Sequence, residues 1–395
     1  MGGSVAGLCQ SESRYADYEL VRYFTAGGMA DLYLVRSLQE GVSDRHLVLK
    51  RIQQRYLDHT HVVQLFLDEG RIAQTLTHPN IVQVVDVGEA EGNYYIAMEY
   101  IAGHDLVAIA RRGIETGKFL PRPLAVGLVQ QVAAGLAYAH THTDSAGHPL
   151  SIVHCDISPG NIVVSWRGTA KIVDFGIARA AIALRKEDGV AGKYNYMAPE
   201  QIRGEDIDAR ADLFSLGVIL WELTLGKRLF RGKPEIARHK VLEEPIPQPR
   251  DLSVDYPEEL ATIVMRLLER DRDRRYSSAA AVSADLRSFL RTTKGGWYKQ
   301  DVALYLRDLF QSPPSESARD AEFGPLPSEE MVVAMPALAE AGGEIEIDPE
   351  TSNIEQSVDG APQPRAHLPR IFAWAVLLLA YLALLGALVL GARPE

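Results

Sequence analysis

The stretch Ile152-Val-His-Cys-Asp-Ile-Ser-Pro-Gly-Asn-Ile-Val-Val164 carries the strongest indication of both the fold and the chemistry of this chain. It places an aspartate two residues after a histidine and an asparagine five residues after that aspartate, with apolar residues on both sides. This spacing is typical of a loop that transfers phosphoryl groups. The pattern is incomplete, because such a loop usually carries cations where this chain has Cys155 and Ser158.

The composition is that of a folded protein. Hydrophobic residues make up 47% of the 395 residues and charged residues 24%, as in ordinary globular domains. The net charge of −11 argues against a general nucleic-acid-binding protein, which needs a basic surface to neutralise phosphates. We therefore expect no nucleic-acid partner.

The two cysteines, Cys9 and Cys155, indicate a reducing, intracellular setting for the folded part. They are too few for a disulfide framework, and they share no metal-ligand spacing with nearby histidines. The first residues, Met-Gly-Gly-Ser-Val-Ala-Gly-Leu-Cys, lack a basic region and a sustained apolar run. We therefore expect no cleavable signal peptide.

The first three segments of the chain differ in their patterns. Residues 1–17 are small and polar and predict a flexible arm, whereas residues 18–293 alternate strand-like and helical patterns and predict one folded domain. Residues 294–311 predict an extra helix. Its apolar residues lie on one face, namely Val302, Tyr305, Leu306, Leu309 and Phe310. This helix either packs on the folded domain or serves as a docking helix.

Residues 312–370 predict a disordered linker. They contain nine prolines and 12 Asp or Glu residues against three Lys or Arg residues. Such a segment cannot bury enough apolar area to offset the loss of chain entropy.

Residues 371–391 form a run of 21 residues without a charge, which as a helix spans roughly 30 Å, the thickness of a bilayer core. The alternative is a buried core helix, but a linker separates this run from the folded domain. We expect a single membrane-spanning helix, followed by a short tail over 392–395. Basic residues are slightly more frequent before the run than after it, which predicts a cytoplasmic folded domain.

Two motifs precede the opening stretch. Gly27-Gly28 lies between strand-like runs, where glycines allow backbone N–H groups to approach phosphates. Lys50 ends the apolar run 47–50, and Glu69 lies on a helical pattern about twenty residues later. Taken alone, the glycine pair is more simply a hairpin turn, and a lysine at a strand end is usually exposed.

Taken together, the motifs resemble those of a bacterial, eukaryotic-like (Hanks-type) serine/threonine protein kinase over about residues 18–290. The further motifs of that family occur in order, at residues 93–101, 174–176, 198–200, 211–217 and 274–276. The resemblance implies an α+β, bilobal protein kinase fold, with a small β-rich N-lobe and a large helical C-lobe.

The resemblance also implies the roles of five side chains. Lys50 holds the α- and β-phosphates of ATP and is oriented by Glu69. Asp174 and Asn161 bind Mg²⁺, and Asp156 accepts the proton of the substrate hydroxyl. All five residues are present. The implied cofactors are ATP and Mg²⁺, and the implied partners are protein substrates.

The family pattern further implies a nucleotide pocket in which Met98 guards the back. The other implied nucleotide-binding residues are Phe24, Thr25, Ala26, Gly27, Gly28, Met29, Ala30, Asp31, Leu32, Val48, Lys50, Glu99, Ile101, Asp105 and Val163. Outside the pocket, Asp212 is implied to anchor the catalytic loop, and Arg275 to pair with Glu200.

The chain departs from the family at the activation segment. Cys155 replaces the arginine that normally receives a phosphate on that segment, and residues 174–200 contain no serine or threonine. The arginine that would bind the phosphate and the serine or threonine that would carry it are therefore both missing. This favours an enzyme that is switched by other means, while a nucleotide-binding pseudokinase scaffold at the membrane remains the alternative.

A second departure concerns Ser158 and Lys193. Kinases of this type usually place a lysine at the first position and a threonine at the second, so the hydroxyl and the ammonium group have traded places. We therefore predict that both residues contribute to catalysis. The alternative is that Lys193 faces solvent.

Overall fold

The computed structural model describes residues 14–26, 29–38, 46–175, 194–293 and 297–311. Six strands within these ranges form one antiparallel sheet, in the order β1-β2-β3-β4-β6-β5. Their bounds are β1 Arg14–Tyr15, β2 Tyr18–Ala26, β3 Ala30–Ser37, β4 His46–Ile52, β5 Val84–Ala90 and β6 Asn93–Glu99. The sheet forms the small lobe.

Helix α1 (Thr60–Thr75) is the helix of the small lobe and packs on β5 and β6. Its buried residues include Val62, Phe66 and Ala73, which recur at helical spacing and form one apolar face. Together with the sheet, this face contributes to the main hydrophobic core.

The large lobe is mainly helical. The described helices are α2 Leu106–Thr116, α3 Arg122–His140, α4 Pro199–Arg203, α5 Arg210–Leu225, α6 Pro234–Leu242, α7 Pro249–Leu252, α8 Glu258–Leu267, α9 Ala279–Thr292 and α10 Lys299–Phe310. Helix α5 is buried almost all round, as expected for a helix that is apolar on every face. Helix α3 packs against both α5 and α9.

A second, three-stranded antiparallel sheet lies in the order β7 (Gly103–Asp105), β8 (Ile162–Ser165) and β9 (Ala170–Ile172). The opening stretch of the sequence forms the loop before β8 and a short 3₁₀ turn at Pro159–Asn161. These features confirm the predicted α+β, bilobal fold.

The folded part begins earlier than Tyr18, the predicted start of the domain. Arg14 and Tyr15 form β1, and the Tyr15 hydroxyl donates to the carbonyl groups of Ala90 and Asn93. Arg14 and Tyr15, at the end of the predicted arm 1–17, therefore belong to the sheet, and residues 16 and 17 form the turn into β2. A strand of two residues leaves no periodic pattern, so the sequence did not indicate it.

The extra helix predicted within 294–311 is α10, and it packs on the large lobe. Val302, Leu306 and Leu309 are buried, and α10 contacts α2. Of the two alternatives that the sequence left open, the structure supports packing on the folded domain.

The predicted linker and membrane-spanning run, residues 312–391, lie outside the described residues. Among the residues that the structure describes, no helix is both long and apolar enough to cross a membrane.

Candidate active site

Lys50 connects the small lobe to the segment that begins at Asp174. It lies on β4, and its Nζ is 3.4 Å from Oε1 of Glu69 and 3.1 Å from Oδ1 of Asp174. Only 4% of Lys50 is exposed. The predicted pair of Lys50 with Glu69 is therefore present, and a second carboxylate shares the same ammonium group.

The close packing of α1 on the sheet brings Glu69 to Lys50. The residue that follows Glu69 is Gly70, where an added Cβ would approach the side chains of Ile96 and Val87 to 2.9 Å. A larger residue would force these side chains or the helix to shift, because real Cβ atoms do not tolerate such contacts. Gly70 thus allows the approach that the ion pair requires.

Lys50 keeps its positive charge although it is buried. Burial alone lowers the pKa of Lys50, but the carboxylates of Asp174 and Glu69 outweigh this effect and raise the pKa above its ordinary value. Burial raises the pKa of Glu69, and the Lys50 ammonium group opposes that shift. The site therefore holds a fixed positive charge, which can stabilise phosphate oxygens.

Asp212 on α5 anchors the catalytic loop, as the family pattern implied. Its carboxylate accepts hydrogen bonds of 2.8 Å from the backbone N–H groups of both His154 and Cys155. Burial raises the pKa of this carboxyl, but hydrogen bonding and charge from His140 outweigh that effect and lower it. Asp212 therefore stays ionised, as an acceptor of several hydrogen bonds should be.

The anchored loop holds an unusual backbone conformation. Cys155 has a φ of 62°, in the left-handed region that non-glycine residues rarely occupy. Asp174 has a φ of 60°. Such conformations cost of order 1–3 kcal/mol each and cluster at functional sites. Both conformations concern predicted functional carboxylates, because Cys155 immediately precedes Asp156 and Asp174 is itself a predicted Mg²⁺ ligand.

Asp156 and Asn161 are held together. The Asn161 side-chain amide donates to the backbone carbonyl of Asp156 at 2.8 Å and to its Oδ2 at 3.0 Å. In turn, the Asn161 carbonyl accepts from the N–H of Val173, the residue before Asp174. Asp156 and Asn161 therefore form one hydrogen-bonded unit, and a backbone hydrogen bond joins it to the residue before Asp174.

The donor set fits Mg²⁺. Within the described ranges, no group of three or more His, Cys, Asp or Glu residues could hold a metal ion by itself. Mg²⁺ typically needs only one or two carboxylates, because substrate phosphates and water complete its shell. The Asn161 amide nitrogen is engaged by Asp156, so its oxygen is the atom that could join Asp174 in binding the ion.

One predicted nucleotide-binding residue, Met98, lines a small cavity together with Lys50 and Asp174. Val48 and Met98 face each other across the β4–β6 pair, and both are mostly buried. Ile101 follows β6, and Val163 lies on β8. Their apolar side chains are suited to the faces of an adenine ring.

The predicted phosphate loop is described only in part. Phe24 is buried, Ala30 and Leu32 lie on β3, and the Asp31 carboxylate accepts a hydrogen bond from the side chain of Gln53. Met29 is partly buried against the main core. Thr25 and Ala26 lie at the end of β2, while Gly27 and Gly28 lie outside the described residues.

Two predicted nucleotide-binding side chains have other partners. Glu99 Oε1 lies 2.5 Å from Lys171 Nζ and accepts from the backbone N–H of Gln83. Asp105 is 1% exposed, and its Oδ1 caps α2 by accepting from the N–H of Ala108. Its Oδ2 is buried and has no hydrogen-bond partner among the described residues, so the nucleotide-binding role of Asp105 stays a prediction.

Of the exchanged pair Ser158 and Lys193, the structure describes only Ser158. Ser158 is 7% exposed and immediately precedes the 3₁₀ turn that contains Asn161. Lys193 lies outside the described residues. The predicted catalytic roles of both residues stay predictions.

The predicted pairing of Glu200 with Arg275 is present and fully buried. Arg275 Nη1 is 2.5 Å from Glu200 Oε1, and Nη2 is 2.8 Å from Oε2. The guanidinium group also donates to the carbonyl groups of Glu269, Arg210 and Arg270. This ion pair fixes the end of the activation segment to the large lobe.

The sequence did not indicate two further contacts of the site. Gln201 donates to the carbonyl of Cys155 at 2.8 Å and thus ties α4 to the catalytic loop. Lys171 holds Glu99 next to Met98. Gln201 follows Glu200 directly, and Lys171 shortly precedes Asp174, but neither contact has a local sequence signal.

Similarity to known proteins covers most of the folded part. Residues 18–286 match the family model of the protein kinase domain. The chain is 38% identical over 308 residues to the tyrosine-protein kinase MasK of Myxococcus xanthus, which corresponds to 77% of this chain and 48% of that protein. It is 30% identical over 274 residues to the serine/threonine-protein kinase PrkC of Bacillus subtilis, corresponding to 69% of this chain and 40% of that protein.

A solved structure supports the same relationship. The crystal structure of the Mycobacterium tuberculosis PknI kinase domain matches with a TM-score of 0.53 at 25% identity, covering 70% of this chain and 96% of that one. The chain spans about half the length, or less, of the curated relatives named above.

Proposed function

The chain belongs to the protein kinase family, and we propose that it transfers the γ-phosphate of ATP to serine and threonine hydroxyl groups of proteins. The observation that carries this proposal is the contact of Lys50 with Asp174, whose Nζ and Oδ1 atoms are 3.1 Å apart. It brings a cation of the small lobe to the predicted metal ligand, next to the hydrogen-bonded unit of Asp156 and Asn161.

In this proposal each polar group has a distinct task. Lys50 stabilises the negative charge of the ATP phosphates, and Asp156 orients the substrate hydroxyl and accepts its proton. Mg²⁺, when bound, offsets the charge that spreads over the γ-phosphoryl oxygens. Positioning and electrostatics account for most of the rate enhancement in such reactions.

The alternative is a nucleotide-binding scaffold without catalysis. A scaffold would need a nucleotide pocket, but it would have no use for a strained catalytic loop anchored by Asp212. The retention of Asp156, Asn161 and the left-handed Cys155 favours the enzyme.

Tyrosine is the second candidate acceptor. The chain lacks the lysine that serine/threonine kinases usually carry at position 158. In addition, a relative with 38% identity is named a tyrosine-protein kinase. The relatives named serine/threonine-protein kinases, including PrkC at 30% identity, favour the first candidate.

The acceptor class can be determined with the full-length protein. Autophosphorylation with γ-labelled ATP and Mg²⁺ is followed by acid hydrolysis and separation of the phosphoamino acids. We expect labelled phosphoserine or phosphothreonine, and no label on the Asp156→Asn variant. Phosphotyrosine alone would replace the first candidate by the second.

The traded pair predicts a specific mutational pattern. If Lys193 supplies the cation that family members carry at position 158, Lys193→Ala should cost roughly 2–4 kcal/mol of transition-state stabilisation, mostly in kcat, the scale for one preorganised electrostatic contact. Ser158→Lys alone should also reduce kcat, because it crowds two ammonium groups. The double variant Ser158→Lys with Lys193→Thr should recover much of the loss.

Lys186→Ala in the same segment serves as the matched control and should leave kcat unchanged. A coupling energy well above about 0.5 kcal/mol would indicate that the two positions act together. If the two single effects merely add, or if Lys193→Ala leaves kcat intact, Lys193 has no catalytic role.

We further propose that residues 371–391 anchor the kinase to a membrane, with the kinase domain in the cytoplasm. The support is the sequence alone, namely 21 uncharged residues after an acidic, proline-rich segment. As a flexible chain, residues 312–370 would reach roughly 40–45 Å on average. Substrates at or near the membrane would then be favoured.

The membrane proposal predicts a difference in solubility. The full chain should sediment with membranes and need detergent for extraction, because an apolar run of this length is stable in a bilayer. A chain that ends after residue 311 should remain in the soluble fraction, and it serves as the control. Complete recovery of the full chain in the soluble fraction without detergent would exclude the anchor.

A further inference from the structure

Helix α10 and the residues just before it are built into the large lobe. The side chain of Trp297 fills the space above Gly127 of α3, where an added Cβ would approach its ring to 2.3 Å. The carbonyl oxygen of Lys299 lies against Gly168 in the same way, 2.0 Å from the position of an added Cβ. The absence of side chains at these two glycines makes room for a segment that lies beyond the matched kinase domain, 18–286.

The C-terminal half of α10 is joined to α2. Lys118 Nζ lies 2.8 Å from Asp308 Oδ1, and the Tyr305 hydroxyl donates to the carbonyl of Lys118. Arg112 donates to the carbonyl of Leu309 at 3.4 Å. The helix is therefore attached to α2 through Arg112 and to Lys118 just beyond the end of α2, as well as at its own start.

The last residue of α10, Phe310, stacks on His104 of β7. The two ring centroids are 3.6 Å apart and the ring planes differ by 7°. Trp166 meets both rings edge-on, at 5.2 Å from His104 and 6.1 Å from Phe310. Burial lowers the pKa of His104 to about 4, so the imidazole is neutral at physiological pH and remains suited to stacking.

Strand β7 adjoins residues that are predicted to bind the nucleotide. It connects the segment that contains Ile101 to the start of α2, and it pairs with β8 so that His104 lies opposite Val164 and Asp105 opposite Val163. Because side chains alternate along a strand, Phe310 supports the face opposite to that of Val163. The backbone N–H of Trp166 also donates to the backbone carbonyl of Ala102, next to Ile101.

We propose that α10 is a positioning element of the nucleotide site, in which Phe310 and His104 are positioning residues. The stack holds β7 and the start of α2 in the geometry that places Ile101 and Val163 against ATP. Loss of the stack weakens nucleotide binding and leaves the phosphate-transfer machinery of Lys50, Asp156 and Asp174 in place. This inference rests on the proposed function for the identity of the nucleotide.

The test uses the full-length protein in detergent and the variant Phe310→Ala. The dissociation constant for a fluorescent ATP analogue with Mg²⁺ should rise roughly 3- to 10-fold, the scale of one aromatic contact. The KM for ATP should rise to a similar extent, while kcat and the KM for a protein substrate stay within about twofold, since Lys50 and Asp156 are held by Glu69, Asp174 and Asn161.

Two variants provide the comparison. Leu304→Ala removes an apolar side chain from the same helix, but that residue is 60% exposed, so it should leave both constants unchanged. Phe310→Tyr keeps the ring and should behave as the wild type. If Phe310→Ala does not fold, Phe310→Leu, which lacks the ring, is measured against the same criteria.

Unchanged nucleotide affinity in the ring-deficient variant would overturn the inference, as would an equal loss in Leu304→Ala. A parallel change in kcat and in the KM values of both substrates would also overturn it, since that pattern indicates a general structural role. If the wild type binds the ATP analogue but transfers no phosphate, and Phe310→Ala weakens that binding, the inference stands and the proposed function fails.

Discussion

Lys50→Met is expected to reduce phosphate transfer by about 10²-fold or more, the scale for loss of one preorganised charge contact in an active site. Lys50 is 4% exposed, and its ammonium group lies between the carboxylates of Glu69 and Asp174. Methionine fills similar space without the charge, so the two carboxylates would be left facing each other and the phosphates. The measurement is kcat/KM for ATP with a protein substrate.

The matched control is Lys240→Met. Lys240 on α6 lies 3.9 Å from Glu244, which follows the helix, and both side chains are partly exposed. Its replacement should leave kcat/KM unchanged. Activity similar to that of the wild type in Lys50→Met would contradict the assignment of this residue.

Arg275→Met is expected to lower the free energy of unfolding by about 3–5 kcal/mol, the cost of leaving a buried charge without its partner. Glu200 and Arg275 are joined by two hydrogen bonds, and their side chains are 3% and 0% exposed. The carboxylate of Glu200 would remain buried without its cation. Denaturant unfolding followed by tryptophan fluorescence measures the change.

Arg250→Met provides the comparison for an exposed ion pair. Arg250 lies 3.0 Å from Glu258, but the two side chains are 52% and 82% exposed. Exposed pairs contribute about 0–1 kcal/mol, so this variant should remain close to the wild type. Equal effects of Arg275→Met and Arg250→Met would show that burial does not strengthen the Glu200 contact.

The arrangement of the candidate active site could be predicted because its residues occur in short motifs with fixed spacing. Asp156 and Asn161 are five residues apart on one loop, and Lys50 and Glu69 lie on a strand and the helix that follows it. The long-range pairing of Glu200 with Arg275 was also predicted, but only through the family resemblance. Local spacing therefore marked the candidate residues, and the family resemblance supplied their roles and the distant partner.

Other features depend on packing that no local pattern encodes. Asp105 was predicted to bind nucleotide, and the structure shows that its Oδ1 also caps α2, a role that carboxylates before helices often have. The packing of α10 could not be predicted either, because it depends on Gly127 and Gly168, which are far away in the sequence. The amphipathic pattern of 299–310 indicated a buried face, but it could not indicate the stack of Phe310 on His104.

The most direct test of the central proposal measures ATP binding and phosphate transfer on one preparation of the full-length protein. With Mg²⁺ and γ-labelled ATP, we predict that the wild type binds the nucleotide and transfers its γ-phosphate to protein, whereas Asp156→Asn binds but does not transfer. Tight binding by the wild type without any transfer would contradict the proposal and would identify the chain as a nucleotide-binding scaffold.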